Sequence, residues 1–334
     1  MSNMNRQFLL AARPSGMVQE SDFEYTEVPK PIPGPNEILV QTTHISLDPS
    51  MRGQMENRAD YVAPLNIGDV MRAGGVGRVV ESNHPDFAVG DMVGGTFGMQ
   101  DYVVFEGSAA LRRYPENTSA EQALGVLGGT GMTAYFGLLD IGEPKAGDVV
   151  VISGAAGATG SIAGQIARIK GCTVIGIAGS DAKCDWLTNE LGFNFAINYK
   201  TQNIADALDK LAPDGINIYF DNVGGEILDI ALERIATNAR VVICGGISRY
   251  NATGELAGPK NYFNLVYRRA RMEGFIVLDY ADQFPAAAEV MRGWLNSGEL
   301  KQGTTVVNGF SKLPETLVAL FAGVNTGKLM VKTS

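Results

Sequence analysis

Residues 148–183, DVVVISGAAGATGSIAGQIARIKGCTVIGIAGSDAK, constrain this chain more than any other stretch, because they read as strand, glycine turn, helix and second strand in direct succession. The run 148–153 is rich in Val and Ile without polar alternation, the pattern of a parallel strand covered on both faces. Ala155, Gly157 and Gly160 then repeat the spacing of GxGxxG with alanine at the first position, and from Gly160 onward Ile162, Ile166 and Ile169 recur on one side of a predicted helix. Small residues let the backbone approach a pyrophosphate, and a helix N-terminus offers unpaired N–H groups and partial positive charge to an anion. A second buried strand over 173–178 completes a unit suited to a dinucleotide.

The residues after that second strand bear on which dinucleotide is held. A site for an unphosphorylated ribose presents Asp or Glu here, whereas this chain presents Gly179, Ser180, Asp181, Ala182 and Lys183. Lys183 suits a ribose 2′-phosphate and points to NADPH. Asp181 either meets the ribose hydroxyls or serves as N-cap or first-turn residue of a helix running to about Leu191.

Composition removes other classes. With 27 Lys and Arg against 36 Asp and Glu, the net charge is −9 and no basic block exists, which disfavours general attraction to nucleic acid or anionic membrane. No apolar run approaches the roughly 18 residues of a membrane span, and the N-terminal run at 8–12 is too short for a signal-peptide core, so a cytoplasmic protein is expected. Cys172, Cys184 and Cys244 lack CxxC spacing and read as small apolar residues near element ends.

Strand patterns at 148–153, 173–178, 195–198, 216–221, 240–244 and 272–278 alternate with helical ones, such as Ile204, Leu208 and Leu211 or Ile227, Ala231 and Ile235. Six strands in two mononucleotide halves predict a doubly wound Rossmann sheet. Residues 1–125 differ: Pro29, Pro31, Pro33 and Pro35 precede short strand-like runs at 37–42, 75–81 and 102–105, and strand character returns at 304–307 and 329–331. The expected fold class is therefore α/β, with a β-rich domain over 1–125, completed by 306–334, and a Rossmann NADP-binding domain over 126–305. The cleft between the two is the expected ligand site.

LDPSMRG at 47–53, GMTAYFGL at 131–138, SGAAGATGSIAGQIA from Ser153, AGSDAK at 178–183, NYK at 198–200, DNVGGE at 221–226, CGGISRYN at 244–251, RMEGFIVLD at 271–279 and NTGKLMVK at 325–332 span nearly the whole chain. In that order they resemble the medium-chain dehydrogenase/reductase superfamily, in which a GroES-like β domain precedes and follows a Rossmann domain. The closer resemblance is to its zinc-free branch of prostaglandin and leukotriene reductases, alkenal double-bond reductases and curcumin reductases. That resemblance implies NADPH-dependent reduction of a carbon–carbon double bond conjugated to a carbonyl. Hydride passes to the β carbon, negative charge develops on the carbonyl oxygen and calls for a hydrogen-bond donor, and a proton reaches the α carbon. A homodimer is implied as well, with a sheet edge near 275–278 as the expected contact.

No metal is expected. Where zinc-dependent relatives supply a Cys and a Gly-His-Glu motif, this chain reads HISLDPS and RAGGVG. With only His44 and His84, and no cysteine before Cys172, a tetrahedral His/Cys set cannot form in the β domain. His84 reads as a turn residue and His44 as a packed or surface histidine.

The resemblance also assigns roles. Tyr267 matches a proposed catalytic tyrosine and is the expected oxyanion donor, with Tyr262 and Tyr250 as rivals; a helix tyrosine near a dimer contact is its alternative. Gly157, Ala158, Thr159 and Gly160 fall to the pyrophosphate, and Ser180, Lys183 and Tyr199 to the adenosine phosphate end. Asn222 falls to the groove interior. Cys244, Gly245, Gly246, Ile247, Ser248, Tyr250, Phe275, Ile276 and Val277 surround the nicotinamide half. Asn325 fixes the carboxamide, or is simply a turn residue in GVNTG. Tyr61, Ser50 and Met132 are expected on the substrate side. Ser50 stands where relatives commonly carry an aromatic, which implies a roomier or more polar pocket, and Arg249 replaces a common glutamine. Quinone reduction by the same hydride geometry is the nearest alternative activity; an NADPH-binding protein without turnover is the remote one.

Overall fold

The computed structural model describes residues 3–58, 61–106 and 111–333. The chain divides into two compact units, residues 1–124 with 304–334, and residues 125–303. The first unit begins with β1 (Met4–Leu10), β2 (Phe23–Pro29), β3 (Glu37–Ser46), β4 (Gly74–Ser82), β5 (Met92–Thr96), β6 (Tyr102–Glu106) and β7 (Arg112–Tyr114). The second contains β8 (Val149–Ile152), β9 (Thr173–Ala178), β10 (Phe195–Asn198), β11 (Ile216–Asp221), β12 (Ile235–Ile243) and β13 (Arg271–Gly274). The chain then returns to the first unit as β14 (Thr304–Asn308) and β15 (Lys328–Lys332).

In the first unit β1 and β2 form an antiparallel pair, and a seven-stranded sheet runs β14-β15-β3-β4-β5-β7 with β6 also on β3. Its core explains why the C-terminal segment is needed there. Leu10 and Ile45 from the early strands, and Met51 and Met55 from around the short helix Ser50–Gln54, share one apolar cluster with Phe310, Leu313, Leu317 and Leu329. Phe8 stacks on Phe310 at 5.4 Å between ring centroids.

The second unit is a single parallel sheet in the order β10-β9-β8-β11-β12-β13. This is a doubly wound arrangement whose strand order reverses between β8 and β11, the place where such sheets bind ligands. Val150, Val151, Ile152, Ile175, Ile218 and Phe220 are completely buried, as expected for strands covered on both faces. The helix Ala158–Ile169 buries Ile162, Ala163, Ile166 and Ala167. It lies close on the sheet side because a Cβ on Gly164 would stand 1.9 Å from Phe193 Cζ.

The structure departs from the sequence reading at several element boundaries. The helix Gly225–Glu233 stops short of Ile235, because Arg234 closes it through its N–H to Ala231 and Ile235 opens β12 instead. Strand β12 thus starts five residues before 240, bending at Asn238, whose φ is 60°. Strand β13 ends at Gly274, and Val277–Gln283 winds into a 3-10 helix rather than extending the strand. Among the described residues no helix is long and apolar enough to cross a membrane.

Candidate functional site

The turn after β8 is built for close approach. Gly154, with φ 58°, makes the left-handed turn one residue before the motif read from sequence, so Ala155 needs no glycine and donates its N–H to Ile177 O at 3.0 Å. Gly157 is the N-cap of the helix Ala158–Ile169 and no side chain caps it. The N–H groups of Ala158, Thr159 and Gly160 in the first helical turn therefore lack a side-chain cap, the condition in which a helix N-terminus suits an anion. At Gly160 a Cβ would stand 2.5 Å from Gly154 O, so any side chain would push the helix off the turn. These residues fit a pyrophosphate.

Across the strand reversal, the end of β11 is organised by a residue the sequence reading did not single out. Asp221 is 1% exposed. Its Oδ1 accepts from Ser153 Oγ at 2.8 Å, Tyr219 OH at 3.0 Å, Val223 N at 3.2 Å and Gly224 N at 3.0 Å. Its carbonyl takes the N–H groups of Cys244 and Gly245, each at 3.0 Å. Asn222 donates from Nδ2 to Ser153 O at 2.8 Å, and Ser153 Oγ accepts from Asn222 N at 2.9 Å. Through its carboxylate Asp221 thus joins the turn after β8 to the segment after β11, and through its carbonyl it holds the segment after β12. Burial, then the Asp221 charge, pushes the Cys244 thiol up to about 12, which disfavours the thiolate.

Residues 245–250 continue that wall. Ile247 N bonds Asn222 O at 3.2 Å, Ser248 Oγ donates to Val223 O at 2.6 Å, and Gly246 N reaches Tyr250 OH at 3.4 Å. Arg249 lies across the glycines, its Cδ 3.3 Å from a Cβ built on Gly246. Between the ends of β12 and β13 opens a hollow of about 490 Å³ lined by Cys244, Gly245, Phe275, Ile276 and Asp279. Phe275 is seated by Gly137, where a Cβ would come within 2.5 Å of its ring. Val277 belongs to the following 3-10 helix and not to the strand.

The ends of β9 and β10 form the third part. Ser180 is the N-cap of the helix Asp181–Asp185, its Oγ accepting from Lys183 N at 3.3 Å. Asp181 is a first-turn residue, and its Oδ1 accepts from Asn198 Nδ2 at 2.7 Å. The Tyr199 phenol lies against Gly179, within 2.9 Å of a Cβ built there. Burial, then the neighbouring Lys200 charge, holds the Lys183 ammonium below the ordinary lysine range. A partly buried lysine beside the exposed Lys200 is an arrangement that an anion would relieve.

Tyr267 does not join these groups in the structure. It sits on the short helix Asn264–Arg268, 66% exposed, its ring edge-on to Phe263 at 5.2 Å. Tyr262 and Phe263 are exposed beside it, while Leu265 roots the helix in the core. Met132, expected on the substrate side, is corrected by its burial: at 1% exposure on the helix Gly129–Phe136 its side chain is packed inside and presents no open wall.

Ser50, Tyr61 and Asn325 belong to the first unit. Ser50 is partly buried at the first position of the helix Ser50–Gln54, and Tyr61 is 49% exposed. Lys328, 1% exposed, donates to Leu47 O at 3.2 Å and pairs with Asp48, pinning the loop that carries Ser50 to the strand just beyond Asn325. Asn325 itself is buried, its Nδ2 donating to Gly327 O at 2.8 Å, so one amide N–H shapes the turn. His84 accepts from Asp86 N at 3.1 Å in an exposed turn. His44 is half-buried on β3 beside Thr43, and burial lowers its basicity. Among the described residues no group of three or more His, Cys, Asp or Glu is placed to hold a metal ion.

The chain is similar to known oxidoreductases in both units. Residues 6–112 match a family model described as the N-terminal domain of oxidoreductase, and residues 158–292 one described as zinc-binding dehydrogenase. The chain is 39% identical to the NADPH-dependent curcumin reductase of Escherichia coli, over 99% of this chain and 97% of that one. It is 38% identical to the NADP(+)-dependent 2-alkenal reductase of Nicotiana tabacum, over 99% and 98%. The structure of CurA in complex with NADPH from Vibrio vulnificus superposes with a TM-score of 0.93 at 40% identity, covering 98% of this chain and 99% of that one.

Proposed function

We propose, since the chain belongs to the zinc-independent branch of the medium-chain dehydrogenase/reductase family, that it reduces the carbon–carbon double bond of α,β-unsaturated ketones and aldehydes with NADPH. The observation that supports the reading is the uncapped helix N-terminus behind Gly154–Gly160 together with the partly buried Lys183 beside Lys200, which suit a pyrophosphate and a 2′-phosphate on one sheet. Curcumin and 2-alkenals, the compounds named for the relatives, define the substrate class: a flat, conjugated carbonyl.

In this reading Gly157, Ala158, Thr159 and Gly160 hold the pyrophosphate, and Ser180, Lys183 and Tyr199 the adenosine phosphate. Asn222, the 244–250 segment and the Phe275–Ile276 hollow hold the remainder, with Asn325 on the carboxamide. When bound, NADPH supplies the hydride that adds to the β carbon. The protein's part is to orient the enone, to exclude water from that contact and to stabilise charge on the carbonyl oxygen. Tyr267 serves as donor to that oxygen, since a phenol O–H gains strength as the oxygen becomes anionic. The α carbon then takes a proton from solvent. Ser50 and Tyr61 border the substrate, and a serine in place of an aromatic leaves room for extended enones.

A second copy of the chain fits the edge of the second unit. Among the described residues strand β13 pairs only with β12, all four of its residues are exposed, and Val266, Tyr267 and Leu278 expose apolar surface at 62%, 66% and 53%. An unpaired edge beside apolar side chains favours strand pairing with a like edge. The three free cysteines suit the cytoplasm.

The test is initial-rate oxidation of NADPH, compared with NADH, against enals, enones, curcuminoids and quinones. Enones should outpace quinones of matched size. Faster quinone turnover would make quinone reduction the activity, and NADPH binding without turnover on any acceptor would make the chain a binding protein.

A further inference from the structure

Asp181 stands two residues before Lys183, where a carboxylate repels a 2′-phosphate and suits a free ribose hydroxyl instead. The chain gives this acid a fixed partner. Asn198, the last residue of β10, is 4% exposed. Its Nδ2 donates to Asp181 Oδ1 at 2.7 Å while its Oδ1 accepts from Lys200 N at 3.1 Å. Strands β9 and β10 run in parallel with Asn198 opposite Ala178, and Tyr199 N bonds Ala178 O at 3.1 Å. One buried amide therefore ties the first helical turn after β9 to the turn after β10. Both halves of the amide are used: aspartate would lack the donor and leucine both groups.

We infer that the Asn198–Asp181 pair sets the preference for NADPH over NADH. It commits Asp181 to the protein and fixes the turn that presents Tyr199 and Lys200, so that Lys183 and Lys200 act on one phosphate. Asn198 is a positioning residue that works through its neighbours and touches no ligand itself. The inference rests on the assignment of this corner to the 2′-phosphate.

The test measures dissociation constants of NADPH and NADH for the full chain by nicotinamide fluorescence, together with thermal melting. Asn198→Asp keeps the acceptor for Lys200 N and sets two carboxylates face to face. It should weaken NADPH by roughly tenfold or more, the loss of one charge-assisted hydrogen bond, and NADH by less than about threefold. The exchange Asp181→Asn with Asn198→Asp restores a donor–acceptor pair in the reverse sense and should return the NADPH/NADH ratio to near the parental one. Equal weakening of both cofactors, an unchanged ratio in a fully folded Asn198→Asp protein, or no recovery in the exchanged protein would overturn the inference. If Asn198→Asp does not fold, Asp181→Ala decides, since it removes the tie from the other side: a lowered NADPH/NADH preference supports the pair, and an unchanged preference sinks the idea. Lys183→Ala separates the two levels. If it leaves the ratio unchanged, the phosphate assignment itself fails; if it abolishes the preference while Asn198→Asp does not, only the pair's role fails.

Discussion

The corner after β9 and β10 and the aromatic helix Asn264–Arg268 are both assigned to function, yet they are built in opposite ways. At the corner nearly every group is fixed from within one unit: Ser180 caps, Asn198 bridges, Tyr199 leans on Gly179, and the lysines crowd one another. On the helix, Leu265 is anchored while Tyr262, Val266 and Tyr267 stand exposed. Recognition of a cofactor phosphate requires preorganised charge, which local strand-turn-helix geometry supplies. A catalytic phenol or a subunit contact acquires its surroundings only when substrate or a second chain arrives.

The largest break in this comparison comes at the turn. Gly160→Val places a side chain where even a Cβ lies 2.5 Å from Gly154 O, and overpacking of this kind costs about 1–3 kcal/mol in stability while it moves the helix N-terminus. NADPH binding should be abolished in a fluorescence titration, whereas a parental dissociation constant would show that the turn is not the pyrophosphate site. Next is Lys183→Met. It should weaken NADPH by roughly 10- to 100-fold and leave NADH nearly unchanged, the scale of one charge-assisted contact.

The same lysine makes a prediction about pH with a definite sign. Burial and Lys200 lower its proton affinity in the folded chain, so the unfolded chain binds more protons at this site and stability gains from it as pH rises towards the ordinary lysine range. Folding thus disfavours the charged amine relative to the neutral one. The Lys183→Met apoprotein should therefore melt no lower than the parent while binding NADPH poorly; a drop in melting temperature would mean that Lys183 is a structural residue.

The helix is probed by smaller effects. Tyr267→Phe should lower kcat by about 10-fold or more while leaving the NADPH dissociation constant in place, the range for one oxyanion donor or somewhat below it. Unchanged kcat would reduce Tyr267 to an exposed aromatic. Val266→Asp, on a side chain 62% exposed, should shift a dimer towards monomer in sedimentation without changing the fold; an unaltered state places the subunit contact elsewhere.

This contrast also marks what could be read in advance. The strands over 173–178, 195–198 and 216–221 match the sequence reading to the residue, each a short, mostly apolar segment rich in Ile or aromatic side chains. The glycine turn was legible in place but shifted by one: the left-handed residue is Gly154, which precedes the spacing that a motif scan inspects. Asp221 escaped because its meaning lies in partners such as Ser153, 68 positions away, brought to it only by strand order. Met132 escaped for the reverse reason, since a methionine in a matching phrase says nothing of its burial. The end of β13 was overrun because 275–278 is as apolar as a strand, and only the structure shows the chain winding up beyond Gly274.

The activity itself is tested most directly by isotope transfer. With NADPH deuterated at the transferable nicotinamide position and a simple enone as acceptor, the product should be the saturated ketone with deuterium on the β carbon, one equivalent per NADPH consumed. Deuterium on the carbonyl carbon of an allylic alcohol, or no product from a chain that binds NADPH, would contradict a double-bond reductase.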